Sequence, residues 1–210
     1  MSTRLNVEHL TKHLDLGCGS KPKNPYNQSR LYGLDVSKIN IPKKQKSLIH
    51  EIKVCNLIFD QIPYPDNHFD SISAYDFLEH IPRITTIIKN KKHTNRYSFI
   101  ECMNEIYRVL KNQGKFYAMT PFYPDPSAFI DPTHVNFITD KTHFYFCEPS
   151  LGAKIYGFNG RFEIIRVKKV RPKYIYEPNQ LNFKQKLRKL NDKFKALESH
   201  LVWEFRAIKD

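Results

Sequence analysis

The sequence predicts an α/β domain built on a largely parallel sheet. Three observations carry this. Short apolar runs recur along the chain, most of them bounded by turn residues. A clear helical pattern over residues 97–111 lies between two of these runs, with Phe99, Met103, Ile106 and Leu110 on one face. A glycine turn, "LDLGCGS", follows the first apolar run directly. Strands alternating with helices in this way call for crossover connections.

Each element follows in order. "KHLDLGCGS" is a strand running into Gly17 and Gly19, and "RLYGLDVS" is a second strand ending at Asp35. About a dozen residues, including Pro22 and Pro25, separate Gly19 from Leu31, so a single turn or an irregular loop is expected there. "LIHEIKVCNL" reads as a third strand. "FDSISAYDFL" reads as a fourth, buried on both faces if the sheet is parallel. Gly114 stops the helix, and "KFYAMTPF" is the fifth strand. "FEIIRVKKVRP" and "LVWEFRAIK" add two more. Between them "NFKQKLRKLNDKFKALES" reads as a basic amphipathic helix. Its Phe183, Leu187, Leu190, Phe194 and Leu197 are expected on the sheet and its lysines in water. No repeat or low-complexity linker interrupts the chain, so residues 1–210 are expected to form one domain.

Composition narrows the class. Apolar residues make up 40% of the 210 and aromatics 13%, enough for a full core. No apolar run approaches a membrane span, and "MSTRLNVEHL" lacks the apolar segment of a secretion signal. Cys18, Cys55, Cys102 and Cys147 lie far apart, which argues against a disulfide framework or a zinc knuckle and for a reducing, cytoplasmic compartment. The net charge of +13 suits polyanionic partners, or simply a lysine-rich hydrated surface.

The glycine turn carries the first chemical signal. Gly17 and Gly19 let the backbone bend and approach a ligand. Asp35, at the end of the next strand, can accept both hydroxyls of a ribose. The third glycine of a dinucleotide fingerprint is missing, since Lys21 and Pro22 follow. Asp15, two residues before Gly17, would repel a pyrophosphate and suits a ligand with an ammonium and a sulfonium.

"LDLGCGS", "LYGLDVS", "CNLIFDQIPYPDNHFDSI" and "EIYRVLKNQGKFYAMTP", in this order over roughly residues 12–121, resemble the class I S-adenosylmethionine-dependent methyltransferases. The resemblance implies a Rossmann-like sheet of seven strands, mostly parallel with the last one antiparallel, and helices on both faces. It implies that Asp15 and the Gly17–Cys18–Gly19 turn hold the methionine end of S-adenosyl-L-methionine and that Asp35 holds the ribose. Asn56 and Leu57 stand at the adenine turn, with Asn56 where an acid is common, and Tyr75 completes the expected cofactor contacts. Enzymes of this architecture usually carry a lid before the first strand. Here that strand starts about a dozen residues from Met1, so a lid from elsewhere, or excision from a longer multidomain chain, is expected.

"YDFLEH" carries the second signal. Spacing i, i+3, i+4 would put Asp76, Glu79 and His80 on one face if the strand turned into a helix. Two carboxylates and an imidazole suit Mg²⁺ or Mn²⁺. A helix cap, or a substrate contact by His80, is the other reading. The motif resembles the E-x-x-E-H site of ubiquinone-pathway and small-RNA 2′-O-methyltransferases, with Asp76 in place of the first Glu. That resemblance implies His134, in "DPTHVN", as a further metal ligand; otherwise His134 is the general base. His134, His80 and Asp76 are thus the catalytic candidates. Phe122, Tyr123 and Asp131 are the substrate candidates, with Phe129 beside them, while His143 is expected to be structural.

The segment after "TP", with "DPTHV" and "THFYF", resembles methyltransferases of glycan and lipopolysaccharide assembly in bacteria and large algal viruses. This implies a sugar hydroxyl on a glycan, sugar nucleotide or oligosaccharide, with fused or associated glycosyltransferase domains, and the host cytoplasm if viral. RNA 2′-O-methylation is the alternative. It draws on the charge and on Lys184, Lys186, Arg188, Lys189, Lys193 and Lys195, but no RNA-binding module accompanies them. Metal-free O-methylation of a small molecule and a non-catalytic partner subunit are the remaining alternatives.

Overall fold

The computed structural model describes residues 10–89, 91–171, 182–194 and 198–210. Every run read as a strand is one: β1 (Lys12–Leu16), β2 (Arg30–Asp35), β3 (Ile49–Val54), β4 (Phe69–Tyr75), β7 (Leu110–Pro121), β8 (Phe162–Val170) and β9 (His200–Ala207). A hairpin, β5 (Thr85–Lys89) with β6 (Lys92–Arg96), is additional to these. The helices are α1 (Lys43–Lys46), α2 (Ser98–Val109), α3 (Ser127–Ile130) and α4 (Phe183–Phe194).

Seven strands form one sheet in the order β3-β2-β1-β4-β7-β9-β8. β9 runs antiparallel to both of its neighbours, and the pairs β3-β2, β2-β1, β1-β4 and β4-β7 are parallel. This is the Rossmann-like sheet that the motifs imply. The parallel strands all end at one edge, and β9 begins there, with His200 opposite Pro121. Ligands of open α/β sheets bind at such carboxyl ends.

Side chains alternate between the two faces. On one face Leu14, Leu16, Ile72, Ala74, Phe116, Trp203 and Phe205 form the main core, and α2 lays Phe99, Cys102, Met103 and Ile106 against it. The other face carries buried polar groups, His13, Asp15, Ser71 and Ser73. Beside them lies a smaller cluster of Tyr75, Tyr117, Met119, Val170 and Val202, packed by Tyr26 from the β1–β2 connection. That connection has no helix, as its length and prolines require.

Helix α2 ends at Val109 and β7 begins at Leu110, so Gly114 lies within the strand and does not stop the helix. The sequence does not announce the β5–β6 hairpin, because TTIIK and KHTNR do not alternate apolar with polar residues. In α4 three of the residues expected on the sheet are exposed instead: Phe183 is 75% exposed, Leu187 52% and Leu190 54%. Lys184, Lys186 and Arg188 are also exposed, and their charges keep that surface hydrated. Leu197, Lys195 and the N-terminal residues 1–9 lie outside the described residues, as do the side chains of Lys189, Lys193 and Phe194. Among the described residues, no helix is long and apolar enough to cross a membrane.

Candidate active site

The glycine turn is built from β1 and clamped by its acid. Register pairing sets Asp15 between Gly33 of β2 and Ser73 of β4. Ser73 Oγ donates to Asp15 Oδ1 at 2.5 Å, and the Lys23 amide donates to Oδ2 at 2.8 Å. The carboxylate thus ties the far end of the loop back to the sheet. Gly17 (φ 61°) and Gly19 (φ 52°) take left-handed conformations. A Cβ at Gly17 would stand 2.8 Å from Phe77 Cδ2, whereas a Cβ at Gly19 would meet nothing within 4 Å. The turn is therefore packed from below at Gly17 and open beside Gly19.

Asp35 faces the same turn. Its Oδ2 accepts the Gly19 amide at 3.0 Å and its Oδ1 the Ser37 amide at 3.2 Å. The Asp35 carbonyl accepts the Cys55 amide at 2.8 Å, which brings Asn56 next to the end of β2. Asn56 Oδ1 is bound to the Ile58 amide at 3.1 Å, and the Leu57 side chain is buried in the core. Cys18 is buried, its amide donating to the Leu34 carbonyl at 3.0 Å. Burial, with help from Asp15 and Asp35, pushes its thiol up to about 12, so it packs as a small apolar group and is no nucleophile. Tyr75 is buried too, with the Lys23 ammonium 3.8 Å from its ring centroid.

Beneath Asp15 lies a network that motif reading missed. His13 is fully buried, with Nδ1 2.7 Å from Ser71 Oγ and Nε2 2.8 Å from Ser73 Oγ. The Ser73 proton goes to Asp15, so Ser73 Oγ accepts from His13 Nε2–H and Ser71 donates to Nδ1. Burial lowers the His13 pKa to about 3 and keeps the ring neutral. The available signal was polar residues at inward alternate positions, 13 and 15 on one strand and 71 and 73 on its neighbour.

The "YDFLEH" segment does not continue as an α-helix. Asp76 has φ 47°, its amide bound to the Met119 carbonyl at 2.8 Å, and a 3₁₀ turn covers Leu78–His80. The left-handed residue redirects the chain, so the i, i+3, i+4 face expected of Asp76, Glu79 and His80 does not form. Asp76 Oδ1 instead lies 3.3 Å from Nε2 of His200, a residue the sequence did not single out.

Glu79, His80 and His134 do meet. One ligand atom from each lies within 4.8 Å of the others, and the two imidazole centroids are 4.9 Å apart. Neighbours hold each in place. Glu79 Oε2 accepts from Thr120 Oγ at 2.9 Å, and its carbonyl receives the Val135 and Asn136 amides, each at 2.9 Å. His80 Nδ1 is 3.0 Å from Thr133 Oγ and 3.3 Å from the Thr133 carbonyl. A carbonyl only accepts, so Nδ1 carries the proton and Nε2 keeps its lone pair. Thr133 Oγ in turn donates to Asp131 Oδ1 at 2.7 Å. The Thr133 bonds hold the Asp131 carboxyl below the usual range.

Glu79 is 1% exposed, and burial pushes its pKa up to about 7 against the opposing hydrogen bonds to its own backbone and from Thr120. Its Oε1 and the Nδ1 of His134 are buried without hydrogen-bond partners. Buried polar atoms left unpaired are costly, and these two belong to residues whose donor types could hold a cation. One carboxylate with two imidazoles suits a borderline divalent ion such as Mn²⁺ better than Mg²⁺.

The substrate candidates separate. Phe122 is 5% exposed and packs in the core, so its ring is not offered at the edge. Tyr123 is 52% exposed and lies 6.1 Å from Phe129. Asp131 is exposed and serves Thr133 and, through it, His80. His143 is buried against Phe144, the structural place expected for it.

Comparison with known proteins bears on the family and the fold. The family described as "Methyltransferase domain" matches residues 14–118. A demethylmenaquinone methyltransferase of Geobacillus stearothermophilus is 30% identical over 98 residues, which is 41% of this chain and 41% of that protein. The chain spans half the length or less of the curated relatives it matches. Among solved structures, a chain from the complex of the Haloferax volcanii Trm112 methyltransferase activator with a methyltransferase is 15% identical. It superposes with a TM-score of 0.59 over 98% of this chain and 86% of that one. An S-adenosylmethionine-dependent methyltransferase from Archaeoglobus fulgidus is 14% identical, with a TM-score of 0.54 over 94% of this chain and 86% of its own. At these identities the structural likeness concerns the fold.

Proposed function

Because the chain belongs to the methyltransferase domain family, as a class I S-adenosylmethionine-dependent methyltransferase, we propose that it transfers a methyl group to a sugar hydroxyl with the help of a divalent cation. One observation carries the reading: Glu79, His80 and His134 converge at the carboxyl edge of the sheet, with Glu79 Oε1 and His134 Nδ1 buried and unpaired. The turn that fits the donor lies at the same edge, at the end of β1.

Methyl transfer from a sulfonium is an in-line displacement, and an aliphatic hydroxyl must shed its proton to act as the nucleophile. S-adenosyl-L-methionine supplies the electrophilic methyl, and a divalent ion supplies positive charge that makes a hydroxyl more acidic. The chain's own residues divide the remaining work. Gly17 and Gly19 shape the donor turn and Asp15 fixes it, while Asp35 is placed for the ribose. Glu79, His80 and His134 form the donor set for the cation. The Asp131–Thr133 pair keeps His80 in the tautomer whose Nε2 can coordinate.

The test is an assay with S-adenosyl-L-methionine, Mn²⁺ and a panel of saccharides, a quinol and an RNA oligonucleotide. Methylation of a saccharide that stops with chelator and with His134→Ala is the expected result. Turnover of the quinol or the RNA with none of any saccharide overturns the acceptor. Saccharide turnover insensitive to chelator overturns the role of the cation.

A further inference from the structure

A second feature adjoins the cluster. A cavity of about 560 Å³ opens between the start of α2 and the segment 136–156. Tyr97, Tyr145 and Tyr156 stand at its mouth, 42%, 49% and 43% exposed, with Tyr97 and Tyr156 centroids 5.5 Å apart. Phe99 and Phe146 form its floor. Among the described residues that line it, two are cations, Arg83 and Lys141, and none is a carboxylate. The acid next to Lys141 is engaged elsewhere: Asp140 pairs with Lys169 at 3.1 Å.

Arg83 is held in place. Its Nε donates to Asn136 Oδ1 at 3.0 Å and its Nη2 to the Phe137 carbonyl. These bonds orient the guanidinium and leave its other N–H groups for a ligand. Aromatic faces stack on the C–H face of a sugar ring, while the hydroxyl and amide edges around them reach sugar hydroxyls. An anion placed between a braced guanidinium and an ammonium with no competing carboxylate is a charge-assisted match.

The cavity and the cluster share two stretches of chain. His80 and Arg83 are three residues apart, so their Cα atoms lie at most about 11 Å from one another. His134 and Asn136 lie on one segment, and the Asn136 amide is bound to the Glu79 carbonyl at 2.9 Å. The two sites are therefore neighbours along both stretches of chain.

We propose that this cavity is an acceptor subsite for a phosphorylated sugar, with the ring against Tyr97 and Tyr156 and the phosphoryl group between Arg83 and Lys141. The proposal rests on the sugar-hydroxyl reading above, which it narrows to an anionic acceptor.

Calorimetric titration of the whole protein with glucose 1-phosphate, UDP-glucose and methyl glucoside tests it. The phosphorylated probes should bind at least roughly tenfold more tightly than methyl glucoside. Lys141→Gln and Tyr156→Ala should each weaken glucose 1-phosphate by about tenfold and leave S-adenosylhomocysteine binding unchanged. Lys141 is the primary variant because its side chain is exposed and Arg83 also braces the 136–137 segment. Equal affinity for methyl glucoside, or no loss with Lys141→Gln, overturns the subsite. Binding that follows these charges, without methylation of any saccharide, leaves the subsite standing and removes the sugar-acceptor function. Saccharide methylation indifferent to both variants does the reverse.

Discussion

Ser73 Oγ stands 2.5 Å from Asp15 Oδ1 and joins the buried His13 ring to the acid of the cofactor turn. Through it the interior of the sheet sets the orientation of a carboxylate at the sheet's working edge. Ser73→Ala removes the donor from Asp15 and leaves His13 Nε2–H unpaired in the core. The expected loss is about 1–3 kcal/mol of stability. Affinity for S-adenosylhomocysteine should fall as well. Denaturant melts and calorimetry check both; unchanged cofactor affinity would separate Asp15 from donor binding.

His13 should also govern acid stability. Its folded pKa of about 3 is below the ordinary 6.5, so the unfolded chain holds the extra proton between those values. Its contribution is intact above pH 6.5 and is lost as pH falls toward 3, at about 1.4 kcal/mol per unit. Urea melts from pH 7 to pH 4, compared with His13→Gln, read this slope. The variant's curve should be flatter through that window.

Glu79 acts in the opposite direction. Its folded pKa of about 7 is above the ordinary 4.5. The native state keeps the proton longer, so this contribution is complete below pH 4.5 and is lost as pH rises through 7. Glu79→Gln should therefore be more stable than the parent protein at pH 8, by an amount on the order of 3 kcal/mol, and no more stable at pH 4. Added Mn²⁺ should raise the parent's Tm more at pH 8 than at pH 5, and should not do so in the variant.

Asp76 and His134 should differ as supports for a cation. His134 is in the three-residue cluster, while Asp76 faces His200. His134→Ala should weaken Mn²⁺ binding by more than about 100-fold, and Asp76→Asn by less than about tenfold. Isothermal titration with Mn²⁺ distinguishes them; equal losses would restore Asp76 to the inner set.

Gly17→Ala tests the turn. The new Cβ must fit 2.8 Å from Phe77 Cδ2 at a φ of 61°. The left-handed conformation alone costs about 1–2 kcal/mol. Gly19→Ala, with nothing within 4 Å, should fold better yet bind S-adenosylhomocysteine poorly, since the side chain enters the open side of the turn. Normal affinity in the Gly19 variant would move the donor away from this turn.

The chain's local chemistry settled much in advance. Alternating apolar runs fixed seven strands, glycine and proline spacing fixed a helix-free first connection, and the acids at 15 and 35 fell beside the glycine turn, because each depends on neighbours a few residues away. The tertiary structure decided the rest. A single left-handed residue turned Asp76 toward His200, 124 positions on, and out of the helical face its spacing suggested. Pairing of β1 with β4 buried His13 against Ser71 and Ser73. The path of residues 133–137 brought His134 to Glu79 and His80 while lining the aromatic cavity with Asn136. These contacts join residues far apart in the chain, and sheet register and backbone hydrogen bonding select them, which local sequence periodicity does not encode.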